Sequence, residues 1–339
     1  MTFADDHETR EKPSLETAMA ALQIQDMGII SADIYYGLSN LSAAEITQLK
    51  PVWETLTPEY RRSVMQELAE ASEVNFELNY QALGWLGLDD DDAEVREAAI
   101  SALWLDESTE LMARLIKMAQ WDDNSAVRAT AVSDLGRFIL LGEYGELTDE
   151  EANQIQDVVV NLLTDDQEDL EVRRRALESI ANSSHAIVNE AIEEAYESHE
   201  RLMQVSAVFA MGRTCDERWR DQVLRELDND DAEIRYEAAR AAGEIGFIEA
   251  IPALGRLAVD PDRETQNAAI WSLGEIGGNE ALRILTALAD RLQDAEDAEL
   301  IETVEEAIGA ASLVGGELDF DLLDIDTDFE DFEDDEELD

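Results

Sequence analysis

A segment of about 31 residues recurs along this chain. A helical or strand-bearing repeat of that size is too short to bury its own apolar face, so each copy must stack on its neighbours. Two copies show the pattern: Asp-Ala-Glu-Val-Arg-Glu-Ala-Ala-Ile-Ser-Ala-Leu at 92–103 and Asp-Ala-Glu-Ile-Arg-Tyr-Glu-Ala-Ala-Arg-Ala-Ala-Gly at 231–243. Taken from the first apolar residue, the copies are anchored at Tyr60, Val95, Val127, Val172, Met203, Ile234, Thr265 and Leu300. Successive anchors lie 31–35 residues apart, except for one interval of 45.

Within a copy the apolar residues fall at 0, +4, +7 and +8, which is one face of an α-helix. Position +4 is Ala in six copies and Val in the two end ones, so a neighbouring helix can approach closely. Three residues before the anchors stand Thr57, Asp92, Asn124, Asp169, Glu200, Asp231, Asp262 and Asp297. All but Glu200 are favoured N-cap residues, whose side-chain oxygens accept from the free N–H groups of a first helical turn. A second apolar stretch precedes each capped helix, as at Leu111 to Ala119 and Ile251 to Val259. Each copy therefore reads as helix, capped turn, helix. Gly212, Gly243, Gly246, Gly274 and Gly277 fall near the ends of second helices, where C-cap chemistry is expected.

The turn Asp-x-x-Val-Arg-x-x-Ala-x-x-Ala-Leu-Gly resembles the HEAT repeat, and more closely the HEAT-like repeats named from phycobilisome-lyase proteins. The resemblance covers roughly residues 41–313. It is strongest at the copies anchored on Val95, Val127, Val172 and Ile234. It is weaker where Gln204 and Gln266 replace the turn arginine, and weakest at the end copies. It implies an all-α, right-handed α-solenoid of about eight HEAT-like helix pairs, to which the composition adds a disordered acidic C-terminal tail. Such arrays present a long concave surface to protein partners, and the resemblance implies that the second helices line it.

The expected boundaries are a disordered leader at 1–13, N-terminal capping helices at 14–40, the array at 41–316 and the tail at 317–339. The surplus of the 45-residue interval falls at Phe138 to Glu151. A loop inserted on a binding face and a longer second helix both account for it. The tail holds 14 acidic residues and no basic one, with Phe320, Phe329 and Phe332 among them. Acid this dense does not collapse into a core, and acidic–hydrophobic alternation is typical of partner-binding segments.

The chain carries 24 basic and 81 acidic side chains, a net charge of −57. That opposes nucleic-acid binding and docking on anionic membranes. Only Lys12, Lys50 and Lys117 are lysines, and an acid-rich, lysine-poor composition also fits adaptation to high salt. Cys215 is the sole cysteine, so no intrachain disulfide is possible. No apolar run approaches the ~20 residues of a spanning helix, and the expected location is cytoplasmic.

Chemistry-bearing motifs are sparse. No phosphate-binding glycine loop is visible, and His7, His185 and His199 are the only histidines. Deoxyhypusine hydroxylase, a HEAT-like enzyme family, binds iron through several His-Glu pairs; here His199-Glu200 is one pair. The expectation is no catalytic residue, no metal, no cofactor and no enzymatic role. The recurring Arg61, Arg96, Arg128, Arg173 and Arg235 beside the caps fit a structural ladder between turns better than an anion site.

Positions +2 and +6 lie at 200° and 240°, opposite the core face at ~100° per residue. They place Val205, Phe209, Tyr236, Arg240 and Trp271 on the concave side, with Arg213 a turn further on. Trp, Tyr and Arg are the residues enriched at binding hot spots. The expected function is a protein–protein interaction scaffold, with these residues and Phe320, Phe329 and Phe332 as partner contacts and a basic protein as the fitting partner. Two alternatives stay open: an enzyme on a HEAT-like scaffold, lyase-like or metal-dependent hydroxylase-like, and an acidic, salt-adapted structural protein.

Overall fold

The computed structural model describes residues 12–26, 30–292 and 297–314. Among them are eighteen α-helices and no strand. Most of the 1–13 leader and all of the 317–339 tail, with Phe320, Phe329 and Phe332, lie outside the described residues. The chain divides into two compact units, Met1–Thr214 and Cys215–Asp339.

Unit 1 opens with α1 (Leu15–Leu22) and α2 (Ala32–Gly37). Five helix pairs follow: α3 (Ala43–Trp53) with α4 (Pro58–Val74), α5 (Gln81–Gly87) with α6 (Ala93–Ser101), α7 (Thr109–Trp121) with α8 (Ser125–Glu143), α9 (Asp149–Thr164) with α10 (Leu170–Ile180), and α11 (Val188–Tyr196) with α12 (Arg201–Arg213). Unit 2 holds three: α13 (Arg220–Glu226) with α14 (Ala232–Ile245), α15 (Ile251–Leu257) with α16 (Arg263–Ile276), and α17 (Gly278–Leu292) with α18 (Ala298–Val314). Both units are stacks of helical hairpins, the α-solenoid organisation expected from the repeat.

The core is the apolar column read from the sequence. All eight +4 residues, from Val64 to Val304, are completely buried, and so are the +8 residues up to Leu273. Ile308 in the last helix is half-buried. Second helices pack through a glycine seam. A Cβ on Gly243 would sit 2.6 Å from Ser272 Oγ, and one on Gly136 would sit 3.2 Å from Ser179 Oγ. These serines donate back across the seam, Ser272 Oγ to the carbonyl of Ala239 at 2.7 Å and Ser179 Oγ to that of Val132 at 2.8 Å. Gly243 and Gly274 are thus interior close-approach residues rather than caps. Gly246, at φ +82°, closes α14 in the left-handed conformation that glycine adopts without strain.

The caps hold residue by residue. Side-chain oxygens of Thr57, Asp92, Asn124, Asp169, Asp231, Asp262 and Asp297 each accept from a first-turn N–H. Glu200 makes no such bond. Its side chain is one methylene longer than aspartate's, which removes the short loop geometry that a cap needs.

The arginine column is a ladder between turns. Arg96 forks onto Asp122, Nε to Oδ2 at 2.9 Å and Nη2 to Oδ1 at 2.6 Å, while its Nη1 donates to the Asp90 carbonyl of its own turn at 2.9 Å. Arg61 forks onto Asp90, Arg128 onto Glu168, and in unit 2 Arg235 onto Asp260. Arg173 departs from the pattern: it reaches the Leu163 carbonyl and, at 3.7 Å, Asp166.

The 45-residue interval contains longer helices rather than an inserted loop. α8 spans 19 residues and α9 spans 16. Between them Gly145, at φ +78°, makes the turn, and Thr148 with Glu151 forms a capping box that starts α9. No helix among the described residues is long and apolar enough to cross a membrane.

Two outcomes follow for urea unfolding. Asp262→Ala lowers stability by about 1–2 kcal/mol, whereas Glu200→Ala changes it by less than about 0.5 kcal/mol. The Thr265 N–H and hydroxyl bonds hold the Asp262 carboxyl below its ordinary range. A depressed folded-state pKa stabilises above the unfolded value of about 3.9 and fades as the pH falls through the folded one. The Asp262→Ala and parent midpoints therefore converge on acidification.

Candidate functional site

Position +6 lies away from the core in every copy. Gln66, Ser101, Ser133, Trp271 and Glu306 are exposed, and Glu178, Phe209 and Arg240 are half-buried. Position +2 behaves differently. Ala129, Arg174 and Val205 are buried, Val205 at 2% exposure, so Val205 is core and is removed from the surface contacts expected of it. The cause is the neighbouring second helix. Arg174 Nε on α10 donates to Ser206 Oγ on α12 at 3.1 Å, and that hydroxyl donates to Glu178 at 2.6 Å. The +2 direction points at this packing seam rather than at solvent.

In unit 1 the second helices α8, α10 and α12 enclose an open groove of about 340 Å³. Phe209 and Arg213 line it together with Arg137, Arg175, Glu178 and Asn182. Arg175 bridges Glu171 and Glu178 at 2.9 and 2.8 Å, and Arg213 Nε donates to Asn182 Oδ1 at 3.2 Å. Arg137 grips Asp134, donates to the Asp106 carbonyl at 2.7 Å and lies 4.4 Å over the Phe138 ring. Burial pushes the Asp134 carboxyl above its ordinary range, against the pull of Arg137. The groove gathers three guanidinium groups and a phenyl ring in a chain with few cations.

Unit 2 carries a separate cluster on α14 and α16. The Arg240 guanidinium lies 5.4 Å from the centroid of the Trp271 ring and donates to Glu244 Oε1 at 3.1 Å. Burial lowers the Arg240 pKa, but hydrogen bonds to Tyr236 and Glu244 outweigh it and the net shift is upward. Trp271 remains 38% exposed. A half-buried cation thus lies over an accessible indole with a tyrosine beside it, the residue types enriched at binding hot spots.

The sequence reading named Phe209, Arg213, Tyr236, Arg240 and Trp271 but missed Arg137 and Arg175. A signal existed. Position +3, at 300°, holds Arg175, and position +10, at 280°, holds Arg137 and Arg213; both share a face with +6. Among the described residues no group of three or more His, Cys, Asp or Glu side chains is placed to hold a metal ion. Cys215 is exposed.

Residues 221–309 match the family model described as HEAT repeats. No curated protein matches the chain. Among solved structures it is similar to the complex of CpcE and CpcF of phycocyanin lyase from Nostoc sp. PCC7120, with 15% identity over 91% of this chain and 100% of that one and a TM-score of 0.48. It is also similar to importin beta, with 15% identity over 88% and 45% and a TM-score of 0.42, and to human deoxyhypusine hydroxylase, with 14% identity over 88% and 96% and a TM-score of 0.34. The 221–309 stretch is thus HEAT-like by sequence, and at these scores the structural likenesses carry no argument.

The burial of Val205 has a measurable consequence. Val205→Ala lowers urea-unfolding stability by about 2 kcal/mol, from lost apolar burial and the cavity left behind, while a conservative change at exposed Arg213 leaves it within about 0.5 kcal/mol.

Proposed function

We propose that the chain is a protein-interaction scaffold that holds a partner on the faces of its second helices and performs no catalytic step of its own. The observation that carries this reading is the Arg240–Trp271 stack, a solvent-accessible aromatic already paired with a cation. The unit 1 groove around Phe209 and Arg213 offers a second anchor of the same chemistry. HEAT-like arrays are commonly interaction scaffolds, and repeat stacks are suited to the task because successive copies present equivalent positions on one surface. The acid-rich composition favours a basic partner and speeds its encounter by electrostatic steering. The tail, with Phe320, Phe329 and Phe332, supplies a further acidic–aromatic contact in this reading.

Capture from native lysate tests it. The full chain, Trp271→Ala, Phe209→Ala and a chain ending at Gly316 are compared at equal concentration, with thermal unfolding measured in parallel. The expected result is that Trp271→Ala loses a specific partner by at least about tenfold, the ~1.4 kcal/mol of a hot-spot contact, with the unfolding temperature nearly unchanged. Intact capture with an unfolding temperature lowered by several degrees would make Trp271 a packing residue and remove this site.

A further inference from the structure

The two ends of the helix pairs in unit 1 differ. At the end carrying the capped turns, ion pairs join successive turns and one large apolar side chain, Trp121, stands exposed at 79%. At the other end, where second helices hand over to the next pair, large apolar side chains stand out. Val74 and Phe76 follow or end α4, at 84% and 76% exposure; Leu105 follows α6 at 49%; Tyr144 follows α8 at 73%. Single exposed apolar residues are ordinary. These four stand where the second helices of three consecutive copies end and hand over to the next pair.

The Phe76 and Trp104 rings lie 6.3 Å apart, tilted by 54°, and Trp104 Nε1 donates to Ser72 Oγ at 3.2 Å, joining the first loop to the second. Arg137, two turns inside α8, donates to the Asp106 carbonyl at 2.7 Å, tying the second loop to that helix. A concavity of about 510 Å³ lies between Glu107 and the Leu141–Leu147 turn beside Tyr144. The next handover, Asn182 to His185, is polar, and Ser184 donates to Glu143 there, so the apolar line stops after three copies. Exposed apolar side chains gathered on neighbouring loops mark a docking surface.

Its rim states the charge of the occupant. Glu73, Glu77, Glu107, Glu143 and Glu146 are all exposed alongside the strip. The nearby cation, Arg137, is engaged by Asp134. A second copy of this chain would bring another net charge of −57 against that rim, and an anionic membrane is repelled in the same way. Geometry narrows the shape. Packed helices lie ~8–10 Å apart, and two turns of an α-helix rise ~10.8 Å. A helix laid across the three loops thus meets each one with residues seven apart. No strand edge exists among the described residues to pair with an extended peptide.

We propose that the strip formed by Val74, Phe76, Leu105 and Tyr144 docks a basic amphipathic helix whose apolar side chains recur every seven residues and are flanked by Lys or Arg. None of these four residues belongs to the second-helix clusters.

The test uses the full chain and two labelled peptides of about 18 residues, sized to span three loops. Both contain the same leucines and lysines; one sets the leucines on a single helical face at heptad spacing, the other shuffles them. Fluorescence anisotropy at near-physiological salt measures affinity, and circular dichroism follows peptide helicity. The patterned peptide is expected to bind at least about tenfold more tightly than the shuffled one and to become helical. Phe76→Ala/Tyr144→Ala is expected to abolish that preference with the unfolding temperature unchanged. Glu107→Lys/Glu146→Lys is expected to weaken binding in a salt-dependent manner, and Trp271→Ala to leave it unaltered. Equal affinity for the two peptides, or an unaffected Phe76/Tyr144 variant, would reduce the effect to general polyanion attraction and overturn the proposal. A bound peptide that stays non-helical, or a dimer of the chain that disappears with Phe76→Ala/Tyr144→Ala, would assign the strip to a different occupant and overturn it equally.

Discussion

The guanidinium fork that links one inter-helix turn to the next is the interaction on which the stacking register rests. Each ladder arginine uses one nitrogen on a carbonyl of its own turn and two on the acid of the following turn, as Arg96 does with the Asp90 carbonyl and Asp122. The acid is held from its own side as well, because Asp90 Oδ1 and Asp122 Oδ1 accept the N–H of the cap residues Asp92 and Asn124. Cap, turn and ladder are therefore one network. Only arginine supplies a planar, fixed set of donors for both directions at once. Where glutamine takes its place the carbonyl bond survives, from Gln204 to Ser198 at 2.8 Å and from Gln266 to Ala258 at 3.1 Å, and the fork is lost. Because burying charge is costly, the ladder's main effect is on register, which apolar packing alone would leave free to slide.

Much of this was legible in the sequence because it depends on neighbours a few residues away. The buried +4 column, the seven working caps and the failing eighth at Glu200 all follow from spacing along a single helix. What escaped depends on the next helix over. A helical wheel puts Val205 opposite its own core face but says nothing of Ser206 and Arg174 meeting beside it. Gly243 reads as a helix end until Ser272 is seen pressed against it. The Phe138–Glu151 surplus carried two readings because the segment is apolar enough to extend a helix, and it does so. The division after Thr214 has no marker in the repeat itself.

The distribution of arginine connects the fold to the proposed function. In a chain with 81 acids, a cation becomes conspicuous wherever it is not committed to a turn. Arg61, Arg96, Arg128 and Arg235 are committed to the ladder. Arg175, Arg213 and Arg240 instead sit on second helices beside Phe209 and Trp271. The opposite chemistry, apolar residues ringed by acids, occupies the handover loops of unit 1. One repeat thus supplies two kinds of surface, because the positions that do not face the core are free to vary from copy to copy.

A double-mutant cycle on Arg96 and Asp122 tests the ladder most directly. Arg96→Ala, Asp122→Ala and the double variant are unfolded in urea beside the parent chain, with the same probe for all four. The ladder predicts that the double variant is less destabilised than the sum of the singles, with a coupling of about 1.5–3 kcal/mol. Additive effects within about 0.5 kcal/mol would mean that the two side chains act independently, and would contradict a register set by turn-to-turn forks.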